Sequence, residues 1–522
     1  MPESELDVLV VGAGPTGLTL ACALAAEGVT VRVVDRATGP APTSRANILH
    51  ARGVEVLGRV GALAGLRKRA RAPIGMTMHV RGRPIATMRF VPDPLGSVQA
   101  LFVSQADVEA ELRRRLTELG VEIEWGTAVT ALEQDAAGVT AVLDTGTTVR
   151  AQWLVGCDGA RSTVRDRAGI AFPGVAVVEQ FLLADVRADW ARDPSASAGW
   201  FHPDGLLLTI PMPDTDGQGV LWRLMADVPA TVDRRLDGAQ IVEHLVRILQ
   251  DRAGETDVRI REVVWTSVFR IHRRLAADYR RGRILLAGDA AHIHSPIGGQ
   301  GMNTGIGDAE NLAWKLALVV RRRAGEALLD TYAPERRPLA AGVLRSTTAN
   351  TRILVGEGVV TRFLRDRVFV PVLNLPAVQR RATRGASQLW VSYRNGPLGG
   401  SRRGGAPRPG DRVPDRDCTR PDGTSARLHS ELGPGWVLLA PRPEDDPDRN
   451  GGVGDGTDVH GLLAVARDHL GDRVVLLHPA GPDRKERALL VRPDGHLCWR
   501  GCSTTELHRL LTGVLQQGRS PT

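Results

Sequence analysis

The chain has 522 residues, 43% hydrophobic and 24% charged, which is ordinary globular composition at a length suited to two to four domains. No apolar run approaches the roughly 18 residues that span a bilayer, and the N-terminus lacks the basic region of a secretion signal, so a cytoplasmic protein off the membrane is expected. The net charge of +8 comes from Arg spread along the chain and interleaved with acids; without a basic tail or aromatic-basic stripe it excludes a nucleic-acid binder and modestly favours anionic partners such as phosphorylated cofactors.

Leu6 to Val11 reads as a buried parallel strand running into Gly12-Ala13-Gly14-Pro15-Thr16-Gly17, followed by a helix with Leu18, Cys22, Ala25 and Ala26 on one face. A second strand, Thr30 to Val34, ends on Asp35. A G-x-G-x-x-G between strand and helix, with an acid about 20 residues on, is a dinucleotide fingerprint. The first two glycines permit the tight turn and close approach of a pyrophosphate, the third lets helix pack on strand, and Asp35 would hold ribose hydroxyls. Asp35 followed by Arg36 does not separate FAD from NAD. Arg45 lies in the next loop, placed for a phosphate or flavin-edge contact, before a helix with Val54, Leu57 and Leu63 inward.

Residues 76–103 alternate apolar and polar and read as strands of a second sheet; Ser104 suits the N-cap of a helix striped by Val108, Leu112 and Leu116. Residues 121–150 form a β-meander returning to an apolar run, Trp153 to Cys157. That run ends on Asp158-Gly159-Ala160-Arg161-Ser162, a second loop placed with Arg161 and Arg165 to meet phosphate. Residues 175–270 look like a separate sheet interrupted by one helix, Ala239 to Leu249, and they gather Phe181, Trp190, Trp200, Phe201, Trp222, Trp265 and Phe269. An aromatic sheet face suits a flat substrate; a plain sheet core is an equal reading of any one of these side chains.

Ile284 to Ala287 then feeds Gly288-Asp289, a Gly- and Pro-rich loop from Ser295 to Gly301, and a helix with Leu312, Leu316, Val319 and Val320 on one face. The helix start leaves N–H groups and partial positive charge. Gly298, Gly299 and Gly301 would let a flat ligand lie against bare backbone, and Asp289 could accept from a ribityl hydroxyl. His292 and His294 form one H-x-H without a third ligand, so no metal is expected. Tyr332 to Leu389 read as helices, Arg394 to Arg412 as a Gly-, Pro- and Arg-rich linker, and 413–515 as a small α/β unit. The five cysteines are scattered, and Cys498 and Cys502 form a C-x3-C that is neither a redox pair nor a zinc half-site, which fits a reducing compartment.

GAGPTG at 12–17, CDGARSTVR at 157–165 and GDAAHIHSPIGGQGMN at 288–303 together resemble the flavoprotein aromatic hydroxylases similar to para-hydroxybenzoate hydroxylase. The nearer likeness is to the aromatic polyketide hydroxylases of antibiotic pathways, which add a C-terminal thioredoxin-like domain without redox cysteines; Arg487 to Gly495 and Trp499-Arg500 look like its closing signature. The resemblance implies an α/β protein with three parts. They are a Rossmann-type FAD-binding domain with its meander (1–75, 98–174, 275–345), an interleaved mixed-sheet substrate domain (76–97, 175–274), and, after a helical connection (346–393) and the linker (394–412), the thioredoxin-like domain (413–522).

By the same resemblance, Gly12, Gly14, Pro15, Thr16 and Gly17 would cradle the FAD pyrophosphate, with Asp35 and Arg36 at the adenosine side. Arg45, Gln105 and Val129 would contact the cofactor. Asp158 and Gly159 would meet both FAD and NAD(P)H, and Asp289 the ribityl chain. Pro296 and the backbone around Gly299, Gly301, Met302 and Asn303 would face the isoalloxazine, with the backbone of Pro296, Gly299 and Gly301, and Arg45, nearest the chemistry. Trp200, His202, Trp222, Arg223 and His294 are substrate-pocket candidates. Gly307 stands where relatives often carry Gln. The implied reaction consumes NAD(P)H and O2 and passes one oxygen, through a flavin C4a-hydroperoxide, to a polycyclic aromatic, in a monomer or homodimer. Hydroxylation is the first expectation and Baeyer–Villiger insertion the alternative. A halogenase would need a W-x-W-x-x-I motif, which is absent. A flavin-binding scaffold without turnover is the reading from outside enzymology.

Overall fold

The computed structural model describes residues 6–41, 46–70, 75–89, 99–212, 220–229, 231–232, 235–293, 299–355, 359–400, 407–442, 458–480 and 487–516. The helices that matter below are α1 (Pro15–Ala26), α2 (Ala51–Val60), α3 (Gln105–Glu118), α4 (Gly238–Ile248), α5 (Gln300–Val320), α6 (Tyr332–Val355), α7 (Val459–Leu470) and α8 (Thr504–Gln516).

The first sheet runs Arg280–Arg281, Ile284–Leu286, Thr148–Gly156, Leu6–Val11, Val31–Asp35, Ile123–Trp125. Its central strands are parallel, and Val129–Gln134 and Val139–Leu143 attach to Thr148–Gly156 as the expected antiparallel meander. Strands buried on both faces need continuous apolar runs, which LDVLVV and the Trp153–Val155 stretch supply. Register aligns Val11 with Gly156 and Gly156 with Leu286, so the chain leaves three neighbouring strands at one carboxyl edge. As expected, Ser104 caps α3, its Oγ accepting from the Asp107 N–H at 3.1 Å.

The second sheet orders His292–Ile293, Arg259–Leu275, Gly174–Asp189, Leu221–Val228, Gly205–Met212, Ala196–His202, Gly75–Val80, Arg83–Met88. All its pairs are antiparallel except Ala196–His202 with Gly75–Val80. Helix α4, started by a capping box between Asp237 and Gln240, packs Ile241 and Leu245 on one face against Leu182, Ala184, Trp200, Trp222 and Leu224. The other face carries Phe181, Leu183, Met225 and Phe269. The short strand His292–Ile293 ties the turn after Gly288 into this sheet, pairing with Arg274 and Leu275.

A third sheet, Ser425–Arg427, Asp417–Thr419, Val474–Pro479, Trp436–Leu439, Ala488–Val491, Leu497–Gly501, makes the C-terminal α/β unit with α7 and α8. Trp436 meets Trp314 of α5 edge to face at 5.3 Å, joining this unit to the first. The described part of 394–412 is tied down: the Tyr393 N–H donates to the Gly410 carbonyl at 2.7 Å and Arg412 pairs with Glu55 of α2. Among the described residues no helix is long and apolar enough to cross a membrane.

Candidate functional site

Three turns meet at the carboxyl edge of the first sheet, where ligands of open α/β sheets bind. In the first, Gly12 has φ +109°, and a Cβ there would lie 2.4 Å from the Cys157 carbonyl oxygen. A Cβ at Gly17 would lie 1.9 Å from the Gly12 carbonyl oxygen. Gly12 is therefore required by the turn and Gly17 by helix packing, whereas a Cβ at Gly14 would meet nothing within 4 Å, so its face is open to an outside group. Helix α1 opens on Pro15 without a side-chain cap, leaving its first N–H groups for an anion. Thr16 turns inward, into gaps left by Gly288 and Gly305. Asp35 clamps the turn from the neighbouring strand, its carboxylate accepting from the Ala13 N–H (2.6 Å) and the Ala37 N–H (2.8 Å). Arg36 is exposed. The Gln105 amide donates to Glu109 at 2.8 Å, Glu109's carboxyl being pushed up mainly by burial. Val129 is a buried meander residue.

In the second turn Asp158 is folded back on its own loop, accepting from Ser162 Oγ (2.5 Å) and the Val164 N–H (3.1 Å). Burial raises its carboxyl despite those bonds. Gly159, at φ +78°, is open. Arg161 is exposed, but Arg165 corrects the sequence expectation of a phosphate contact. It is buried, donates to the Ala160 and Ala290 carbonyls at 3.3 and 3.2 Å, and lies 4.0 Å over the Phe172 ring. It ties the second turn to the third.

The third turn, Gly288–Ala290, presents Asp289 to solvent. A residue that sequence reasoning missed holds it: buried Asp308, one turn along α5 from Thr304. Asp308 Oδ2 accepts from the Gly288 N–H (3.1 Å) and His292 Nε2 (2.6 Å), and Oδ1 accepts from Arg336 Nε (2.7 Å). Burial alone would raise this carboxyl; Arg336 and His292 outweigh burial and lower it. Gly299, at φ +62°, precedes α5, which also starts without a side-chain cap. Gly301 and Met302 fill its first turn. Asn303 is 1% exposed, and its side chain clamps the loop: Oδ1 accepts from the His50 N–H (2.8 Å) and Nδ2 donates to the Ile48 and Gly299 carbonyls (3.0 and 2.9 Å). Arg45, His294, Pro296 and Gly298 lie outside the described residues. Thr304, Asp308, Asn311 and Lys315 fall on one stripe of α5, which in the sequence reads as a solvent face although the helix is buried.

The second sheet redistributes the substrate-pocket candidates. Trp200 and Trp222 belong to the core under α4. Trp200 stacks on His79 at 5.1 Å with Arg192 4.5 Å over it, and Trp222 packs on Trp190 at 4.9 Å. His202 sits at the hairpin turn, accepting from the Asp204 N–H at 3.3 Å. Arg223 points to the opposite face, but both its forks are committed to buried Asp185 at 2.8 Å. That face carries Phe181 stacked on Phe269 at 5.6 Å, with Leu183, Met225 and half-buried Trp265.

The residues present suit a dinucleotide with a flat ring. They offer an open glycine face, two uncapped helix starts, a half-buried carboxylate and an exposed one at a single edge. The FAD binding domain family matches residues 5–347. The 6-methylpretetramide 4-monooxygenase of Streptomyces rimosus is 37% identical over 96% of this chain and 92% of its own length. The solved OxyS anhydrotetracycline hydroxylase from Streptomyces rimosus superposes with a TM-score of 0.77 at 34% identity, covering 97% of this chain and 98% of that one. An aklavinone-11 hydroxylase solved with FAD and aklavinone gives a TM-score of 0.76 at 27% identity over 99% of this chain and 100% of that one.

Proposed function

Because the chain belongs to the FAD binding domain family and is a flavin-dependent monooxygenase using FAD, NAD(P)H and O2, we propose that it hydroxylates a polycyclic aromatic of polyketide type. The observation that carries this reading is the register that brings the turns after Val11, Gly156 and Leu286 to one edge, with the third running on into the second sheet. Gly14 and the start of α1 would take the pyrophosphate, Asp35 the ribose, Asp289 the ribityl chain, and the backbone at Gly299, Gly301 and Met302 the ring. Asn303 and Asp158 hold the loops that do this. Bound there, FAD supplies the chemistry by which NAD(P)H and O2 place one oxygen atom on the substrate. The protein must orient a flat ring and keep water away. The face with Phe181, Leu183, Met225, Trp265 and Phe269 supports that part better than Trp200 or Trp222. A monomer or homodimer in the cytoplasm is the setting that we infer.

The test is to purify the protein, record its absorbance, and follow NADPH and NADH oxidation with and without tetracycline-like and angucycline-like phenols. Bound flavin, oxidation that rises with an aromatic, and a product whose NMR shows a new ring hydroxyl are expected. A ring-expanded ester in the NMR would move the assignment to Baeyer–Villiger insertion. Oxidation that no aromatic stimulates would overturn the monooxygenase assignment for this substrate class.

A further inference from the structure

Helix α5 is buried along nearly its whole length, yet it carries Asp308, Glu310, Asn311 and Lys315. Buried charges persist only when paired; here Glu310 pairs with Arg52 and Arg59 of α2, Lys315 with Glu335 of α6 and Asp308 with Arg336, and the C-terminal unit joins them through Asp494, at Asn311, and Arg492, at Glu335. Arg492 grips Glu335 of α6 with both forks (2.9 and 3.0 Å) and Asp494 with two more contacts (3.0 and 2.5 Å). Asp494 also accepts from Asn311 Nδ2 and Trp314 Nε1, each at 3.3 Å, and its carbonyl accepts from Arg52 of α2 at 2.6 Å. Lys315 donates to Glu335 at 2.8 Å. The residue after Glu335 is Arg336, which donates to Tyr393 Oη (3.0 Å), the Thr304 carbonyl (2.9 Å) and Asp308 (2.7 Å). Asp308 ends the series on the Gly288 N–H and His292.

We propose that the C-terminal unit is a positioning element for the flavin, with Asp494 its anchor and the buried series Asp494, Arg492, Glu335, Arg336 and Asp308 the route by which it fixes the turn Gly288–His292. The inference rests on the reading that this turn holds the flavin. Attachment alone would not need these charges. The unit already has an apolar seam at Trp314 and Trp436, and replacing a buried ion pair by packed apolar residues is often neutral or stabilising. Ion pairs with two-pronged geometry add fixed direction. One oxygen of Asp308 receives both Gly288 and His292, so any shift of that carboxylate moves both ends of the turn. Nor do the described residues of the unit form a catalytic or metal-binding cluster of their own. Cys418 and Cys498 are buried, with burial pushing their thiols up to about 11 and about 12, and no metal-binding group occurs among the described residues.

The test uses the full-length holoprotein. Asp494→Asn keeps the shape and removes the anchoring charge. Arg336→Lys keeps the charge beside Asp308 and loses the fork, covering the case in which Asp494→Asn does not fold. The control is Leu477→Ala, which opens the core on the far face of the C-terminal sheet. FAD affinity is read by flavin fluorescence, and flavin geometry by visible-region circular dichroism. Either relay variant should weaken FAD binding roughly 5- to 150-fold, the usual range of coupling between sites, and change the flavin dichroism. Leu477→Ala should lower Tm and leave both flavin signals unchanged. Relay variants with a lowered Tm and wild-type flavin signals would overturn the proposal. Gly14→Val tests the underlying reading separately: if that protein still binds FAD as the wild type does, the flavin placement fails whatever Asp494→Asn shows.

Discussion

Two acids, Asp289 and Asp308, divide the work at the third turn. Asp289 is exposed and makes no hydrogen bond among the described residues, so its carboxylate is available to a ligand. Asp308 is fully buried and has three partners. Asp289→Ala should therefore fold normally and lose FAD: a hydrogen bond to a charged group is worth about 1.5–3 kcal/mol, or roughly 10- to 150-fold in the dissociation constant. Protein that stays fully yellow through exhaustive dialysis would refute the assignment of Asp289. Asp308→Ala should instead destabilise the apoprotein by about 3–5 kcal/mol, because it strands Arg336 and the Gly288 N–H in the interior; a denaturant melt of flavin-free protein checks this. Gly12, Gly14 and Gly17 were legible in the sequence because their spacing encodes a local turn. The inward roles of Thr16, Asn303, Arg165 and Asp308 were not, because Gly305, His50, Ala290 and Arg336 reach them only through the fold.

Elements were legible wherever one period dominated, as in LDVLVV, the meander, and the stripe of Val108, Leu112 and Leu116. Face assignment in the second sheet was not legible, because its strands are apolar on both sides: Leu182 and Leu224 lie under α4, while Leu183 and Met225 face away. Aromatic count cannot choose between two such faces, and Trp200 and Trp222 went to the side that a helix covers. A specific contrast follows. Trp222→Ala should cost about 3–5 kcal/mol of stability, as large core truncations do, and leave the KM for an aromatic substrate unchanged in the protein that folds. Phe269→Ala, on the other face, should raise that KM. A KM that rises for Trp222→Ala and not for Phe269→Ala would return the pocket to the α4 side.

At the scale of the whole molecule, the seam between α2 and the C-terminal unit makes stability depend on pH. His429 is buried there, with Nδ1 facing an Arg59 N–H at 3.2 Å and Nε2 facing the Val413 carbonyl at 2.9 Å, so these partners assign the neutral ring with its proton on Nε2. Burial, joined by Arg59 and Arg412, lowers its pKa to about 4 against the pull of Glu55. In the unfolded chain the ring takes up its proton near 6.5. Between those values the unfolded state binds a proton that the folded state refuses, so stability is whole above about 6.5 and falls as pH drops toward 4. The depression corresponds to an upper bound on the order of 3 kcal/mol. Glu335 acts lower: burial pushes its carboxyl up, but Arg492 and Lys315 prevail and hold it at about 2, so its contribution is present above about 4.5 and is lost on acidification toward 2. Lys315, brought down to about 8 mainly by burial, has the same sign at the other end, and its share of stability rises as pH climbs from about 8 to 10.5. Thermal melts from about pH 7 to pH 5.5 should therefore show a falling Tm while most carboxylates of ordinary pKa stay ionised. In His429→Gln, which cannot take up the proton, that early slope should shrink. An unchanged slope in His429→Gln would place the acid sensitivity elsewhere than this seam.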